Sequence, residues 1–154
     1  MKGLGRVITA IAVAGGLPSG VGAVCIDEHG ISGYHIPLDT EFRTAHVVAI
    51  GTVVSKRDVL ERNSDLIAGT FYRFNVEETL RGNRHKTINL FSENNSGRFW
   101  MDIGHRYLVF VTKDRQTYYV SPCGSSGELP EQSQIVEALK EKVRRAGKGE
   151  QSGR

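Results

Sequence analysis

The sequence predicts a mainly β protein: a small barrel or sandwich with one helix at its C-terminal end. Three observations carry that prediction. At least five short runs rich in β-branched and aromatic residues are separated by Gly, Asn and Asp turn signals. A helical apolar stripe, Ile135, Val136, Leu139 and Val143, appears only near the end of the chain. With 154 residues, 39% apolar and 24% charged, the chain has room for one domain with a real core.

The first element is a targeting segment. Lys2 and Arg6 precede the run Val7–Leu17, which is followed by Pro18, Ser19, Gly20 and then Val21-Gly22-Ala23. A positive start, a short apolar stretch and small residues at the end make a signal peptide over residues 1–23, with cleavage near Ala23. The apolar stretch is shorter than the ~20 residues of a membrane span. Cys25 raises lipidation as an alternative, but Val24 sits where lipid-modifying peptidases prefer a small residue. The expected product is therefore secreted or periplasmic, with no stable membrane insertion after processing. Loss of Lys2 and Arg6 also takes two charges off the formal +3, so net charge does not call for an anionic partner.

Export gives the two cysteines their meaning. In an oxidising compartment Cys25 and Cys123 are expected to pair as a structural disulfide, since neither has a basic neighbour that would activate it. Two cysteines exclude a disulfide-rich knot and a four-cysteine zinc site.

Along the mature chain, a short helical turn is expected from Pro37 to Thr44, with Asp39 or Thr40 as its cap. Ala45–Ser55 reads as a strand, with Gly51 marking a bulge or bend. Residues 56–68 are charged and polar and read as a loop. Thr70–Leu80 alternates, with Tyr72, Phe74 and Val76 on one face and Phe71, Arg73 and Asn75 on the other. Arg81-Gly82-Asn83 is a turn, Thr87–Phe91 a strand and Ser92–Arg98 a loop. Asp102-Ile103-Gly104 turns into the most apolar strand, Arg106–Thr112. Lys113–Gln116 makes a hairpin returning through Thr117–Val120. Cys123–Gly127 lacks the lysine of a phosphate loop and reads as a turn. The final helix is expected to begin near Pro130, to pair Glu141 with Arg144 or Arg145, and to be capped by Gly147, leaving 147–154 as a flexible tail.

Several of these features together resemble a known family. They are Cys25, the Gly51-interrupted strand, Phe74-Asn75-Val76 leading to Leu80-Arg81-Gly82, then Gly104-His105-Arg106-Tyr107-Leu108-Val109-Phe110, Tyr118–Val120 and Cys123-Gly124. The pattern is similar to the netrin-module and tissue-inhibitor-of-metalloproteinase superfamily in a small bacterial secreted form, over residues 25–146. The resemblance implies a five-stranded OB-like β-barrel with a flanking C-terminal helix, spanning residues 24–146 as one domain. It also raises metalloproteinase inhibition as an alternative function. That activity needs a Cys-x-Cys start whose free amine and carbonyl meet the protease zinc. Here the start is Cys25-Ile26-Asp27 with Val24 in front, so the ligand chemistry is missing.

Chemistry-bearing patterns are sparse. His29, His35, His46, His85 and His105 show no metal-ligand spacing, so neither metal nor cofactor is expected. Glu77 and Glu78 are adjacent on a strand and point to opposite faces, so they do not form an acid–base pair. Tyr72-Arg73-Phe74 and Arg98-Phe99-Trp100 interleave aromatic and basic residues as single-strand nucleic-acid modules do. The expectation is instead that Phe74 and Trp100 are core and that nucleic acid is not a partner. Lys140, Lys142, Arg144, Arg145 and Lys148 are diluted by Glu137, Glu141 and Glu150, which reads as a solvated helix face. The function expected is a non-enzymatic, monomeric secreted protein that binds another protein or an envelope component.

Overall fold

A computed structural model of the chain describes Cys25, residues 35–95 and residues 97–151. The expected leader 1–23, Val24, His29 and residues 152–154 lie outside the described residues. The element order is α1 (Leu38–Thr44), β1 (Val47–Leu60), β2 (Ile67–Arg81), β3 (Thr87–Glu93), β4 (Arg106–Asp114), β5 (Thr117–Val120), β6 (Gly127–Glu128) and α2 (Ser133–Gln151).

The protein is mainly β. Its sheet runs β1-β2-β3-β5-β4, and β1 pairs with β4 to close a ring of five strands. Only the β3–β5 contact is parallel. The two-residue β6 adds to β4, pairing Glu128 with Tyr107. Gly51 makes the bend that the ring needs. The β1–β2 register shifts between Ile50 and Gly51, and a Cβ at position 51 would stand 2.0 Å from the Asn75 carbonyl oxygen.

Two apolar layers follow from strand alternation. Val47, Ala49, Val53, Tyr72, Phe74, Leu90, Val109 and Val111 fill the inside of the ring. Val48, Ile50, Leu80, Leu108 and Phe110 point outward and are covered by Val136 and Leu139 of α2, with Leu38 and Phe42 of α1 alongside. The first half of β1 and most of β4 are thus buried on both faces. This is why β4 reads as an unbroken apolar run.

The first described residue is tied to the turn that follows β5. Cys25 and Cys123 form a disulfide with a Cα–Cα distance of 5.5 Å, and the Ile36 amide donates to the Cys123 carbonyl at 3.1 Å. Closing a 98-residue separation stabilises the fold by about 4–5 kcal/mol in the chain-entropy view.

Several expectations are corrected. The charged stretch 56–68 is largely strand: β1 continues to Leu60 and β2 starts at Ile67, as one hairpin. Pro37, with no capping side chain, precedes α1 in place of Asp39 or Thr40. Pro130 lies ahead of α2 and not in its first turn, and its carbonyl accepts from the Ser133 amide at 2.9 Å. The helix runs through Gly147 to Gln151, so residues 147–151 of the expected tail are helical. A glycine inside a helix costs only about 1 kcal/mol, too little to end it here. Trp100 is not core; it is 64% exposed.

Because Phe74 is fully buried and Trp100 is not, the two aromatics separate in a urea titration. Phe74→Ala is expected to lower unfolding stability by about 3–5 kcal/mol. Trp100→Ala is expected to cost under about 1 kcal/mol.

Candidate functional site

The ring turns one built surface outward. On β2, Thr70, Tyr72 and Phe74 point in, so Phe71 and Arg73 point out. The register then lines up Arg57, Phe71, Phe91 and Tyr119 across β1, β2, β3 and β5. The neighbouring row is Ser55, Arg73 and Asn89. Phe71 and Phe91 have ring centroids 4.8 Å apart, and Phe91 and Tyr119 6.0 Å. Gly69 makes the packing possible, because a Cβ there would come 2.4 Å from the Phe91 ring. The Arg57 guanidinium lies 5.6 Å from the Phe71 centroid.

Ser55, Lys56, Arg57, Phe71, Arg73 and Asn89 border an open recess of about 370 Å³. Among the described residues, neither Arg57 nor Arg73 has a carboxylate within ion-pair distance. Guanidinium groups over an apolar floor, beside a hydroxyl and an amide, recognise planar oxyanions and neighbouring hydroxyls.

A larger groove of about 590 Å³ lies between β4, β6 and α2, but most of its charged side chains are already paired. His105 Nδ1 stands 2.6 Å from Glu128 Oε1, and that hydrogen bond raises the imidazole's pKa above its usual range. Arg106 donates to Glu77 at 2.6 Å, and Thr52 adds a bond at 2.7 Å. These contacts, Arg106 foremost, hold the Glu77 carboxyl below its ordinary value. Lys140 pairs with Glu78 at 2.8 Å. The β1–β2 register skips Glu77, so strict alternation fails at this pair, and Glu77 and Glu78 are separated instead by serving different neighbours.

The remaining sequence-nominated residues disperse. Of the Tyr72-Arg73-Phe74 triplet only Arg73 reaches the surface. Arg98 stacks 3.6 Å above Trp100, bonds Asn94 at 2.9 Å and donates to the Thr70 hydroxyl, which in turn donates to Asp58 at 2.6 Å. His35 is exposed, while His46 and His85 flank Tyr118 at 5.8 and 6.2 Å. Among the described residues no group of three His, Cys, Asp or Glu side chains could hold a metal. On α2, Lys142 pairs with Asp39, and Glu141 takes both Arg144 and Arg145. No helix of the described residues is long and apolar enough to cross a membrane.

Among the described residues Glu41 is the one buried carboxylate, at 5% exposure. Its Oε2 accepts from the Ser125 amide at 2.7 Å, clasping the turn after Cys123. Gly124 is needed there, since a Cβ would approach Oε1 to 1.8 Å. Burial pushes the Glu41 carboxyl above its ordinary value of 4.5.

No known family model matches the chain, and no curated protein matches it.

The recess escaped the sequence because its members come from separate strands. Arg57 lies in the stretch expected to be a loop, and only the pairing places it beside Phe71. The one available signal was Phe71, a large aromatic on the outward side of the β2 alternation.

Glu41 makes a pH prediction. Its folded pKa is raised, so the folded state holds the extra proton and this group's contribution weakens as pH rises from about 4.5 through the folded value. Glu41→Gln keeps an acceptor for Ser125 without the buried charge. Urea unfolding at pH 4 and pH 7 is expected to show the variant gaining on the wild type at the higher pH; an equal difference at both would contradict the assignment.

Proposed function

We propose that this chain is a secreted, non-enzymatic binding protein built on an OB-like barrel with a flanking helix, as in netrin-like and inhibitor-like modules. Its ligand face is the outer surface of β1, β2, β3 and β5. The strand order, with β1 shared between β2 and β4 and one parallel contact closing the ring, supports the OB-like reading. The disulfide supports an oxidising compartment, as the leader-like N-terminus does. The observation that carries the ligand face is the aromatic row with two arginines lacking acidic partners among the described residues, around a recess. Around the larger groove His105, Arg106 and Lys140 are each paired with a carboxylate, which favours binding over acid–base catalysis there.

Metalloproteinase inhibition has less support, because Val24 precedes Cys25, so that its nitrogen lies in a peptide bond, and Asp27 stands where the second cysteine of the Cys-x-Cys start would be. Single-strand nucleic-acid binding also has less. The row's rings are inclined at 45° and 79° to one another, so they do not offer successive parallel platforms for bases.

The expected partner is a protein or envelope component. Affinity capture from the native cell envelope, with wild type and Arg57→Ala/Arg73→Ala side by side, tests this. The variant is expected to keep the wild-type circular dichroism and to lose what the wild type retains. Identical capture by both would contradict the ligand face. Intact mass of the exported chain is expected to begin at Val24.

A further inference from the structure

β1 parts from β4 after Thr52. Residues Ser55–Leu60 pair with β2 on one edge, and among the described residues no strand pairs with the other. Exposed apolar side chains gather around this open edge. Val54 is 39% and Leu60 55% exposed. Ile103 is 53% exposed and is held at the start of the edge, where the Gly104 amide donates to the Val53 carbonyl at 2.8 Å. Trp100 is tied to the edge by the chain Arg98–Thr70–Asp58.

The edge reads Val54-Ser55-Lys56-Arg57-Asp58-Val59-Leu60, and it complements itself in the antiparallel sense. We propose that a second copy of this chain joins here, β1 against β1, about a two-fold axis at Arg57. In that register Lys56 of each copy faces Asp58 of the other, Val54 faces Leu60, and Ser55 faces Val59. Directly opposed residues share a face and stand about 4.5–5.5 Å apart at Cα, so the opposite charges meet on one side of the joined sheet, while Val54 sits at the register shift between Val53 and Ser55 and meets Leu60 at the end of the join. Arg57 meets its own copy, the one unfavourable pair. Each guanidinium, however, lies back over Phe71 of its own sheet. Charges on an open edge usually discourage pairing. Here the +, −, order lets two identical edges satisfy each other, as a closed two-fold contact requires. The join goes beyond the ligand-face reading: it sets the two Arg57-Arg73 recesses side by side, and two linked sites hold a repeating ligand more tightly than one.

Sedimentation velocity on the full exported chain tests this. The wild type is expected to sediment as a dimer. Lys56→Glu places two acids opposite each other and is expected to give monomer, as is Asp58→Lys, which opposes two cations. An equimolar mixture of the two variants is expected to restore a dimer, because each then offers the charge that the other lacks. A wild type that stays monomeric at every concentration, or a dimer indifferent to Lys56→Glu, would overturn the proposal. Since Asp58 also bonds Thr70, a second readout stands apart from its folding. Arg57→Cys is expected to form an intermolecular disulfide readily without reductant, and Arg73→Cys is not. Absence of the Arg57→Cys cross-link would equally overturn the two-fold register.

Discussion

β1 has to pair with two strands at once while hiding both of its faces. Val47, Ala49 and Val53 point into the ring, and Val48 and Ile50 point out under the helices. β3 and β5 join β2 to β4 on one side, and β1 bends to close the ring by pairing with both on the other. Gly51 supplies the bend by allowing the Asn75 carbonyl to approach where any side chain would collide. Tyr72 and Phe74 then meet Val109 and Val111 across a closed interior, and α2 lays Val136 and Leu139 over the outward residues of β1 and β4.

The same strand explains why the surface is uneven. Where β4 and α2 cover it, β1 is apolar on both sides. Beyond Thr52 it leaves β4, keeps β2 as its one neighbouring strand among the described residues, and becomes charged. That departure places Arg57 and Ser55 outward beside Phe71 and Arg73, which makes the recess, and it also leaves one edge without a neighbour among the described residues. Ligand face and open edge are two consequences of one departure. The disulfide and the Glu41–Ser125 clasp act at a different place, holding the segment before α1 and the turn before β6 together.

Much of this was legible in the residues. The β-rich class, the Gly51 irregularity, the in–out alternation from Thr70 to Val76 and the turns at Gly82 and Gly104 rest on local rules, and the Cys25–Cys123 pair on compartment and an even count; the structure has each of them, while an extra residue at Glu77 breaks the alternation before Leu80. The strand character of residues 56–60 was not legible, since an edge strand exposed on both of its own faces gives Lys56, Arg57 and Asp58 no apolar alternation to display. Trp100 misled for the opposite reason: its bulk suggests core, but Arg98 covers one face of the ring and lets the rest meet water. The recess combines side chains far apart in sequence, so no motif announces it. The OB-like relationship and the secreted binding role extend the residue-level resemblance and rest on the proposals above.

β1 is closed at one end and open at the other, and amide hydrogen exchange reads that residue by residue. In dilute solution, amides of Val47–Val53 are predicted to exchange slowly on both sides of the strand. From Ser55 to Leu60, protection is predicted to alternate, slow where the amide faces β2 and fast where it faces the open edge. Uniform protection of 55–60 in dilute monomer, or rapid exchange through 47–53, would contradict it.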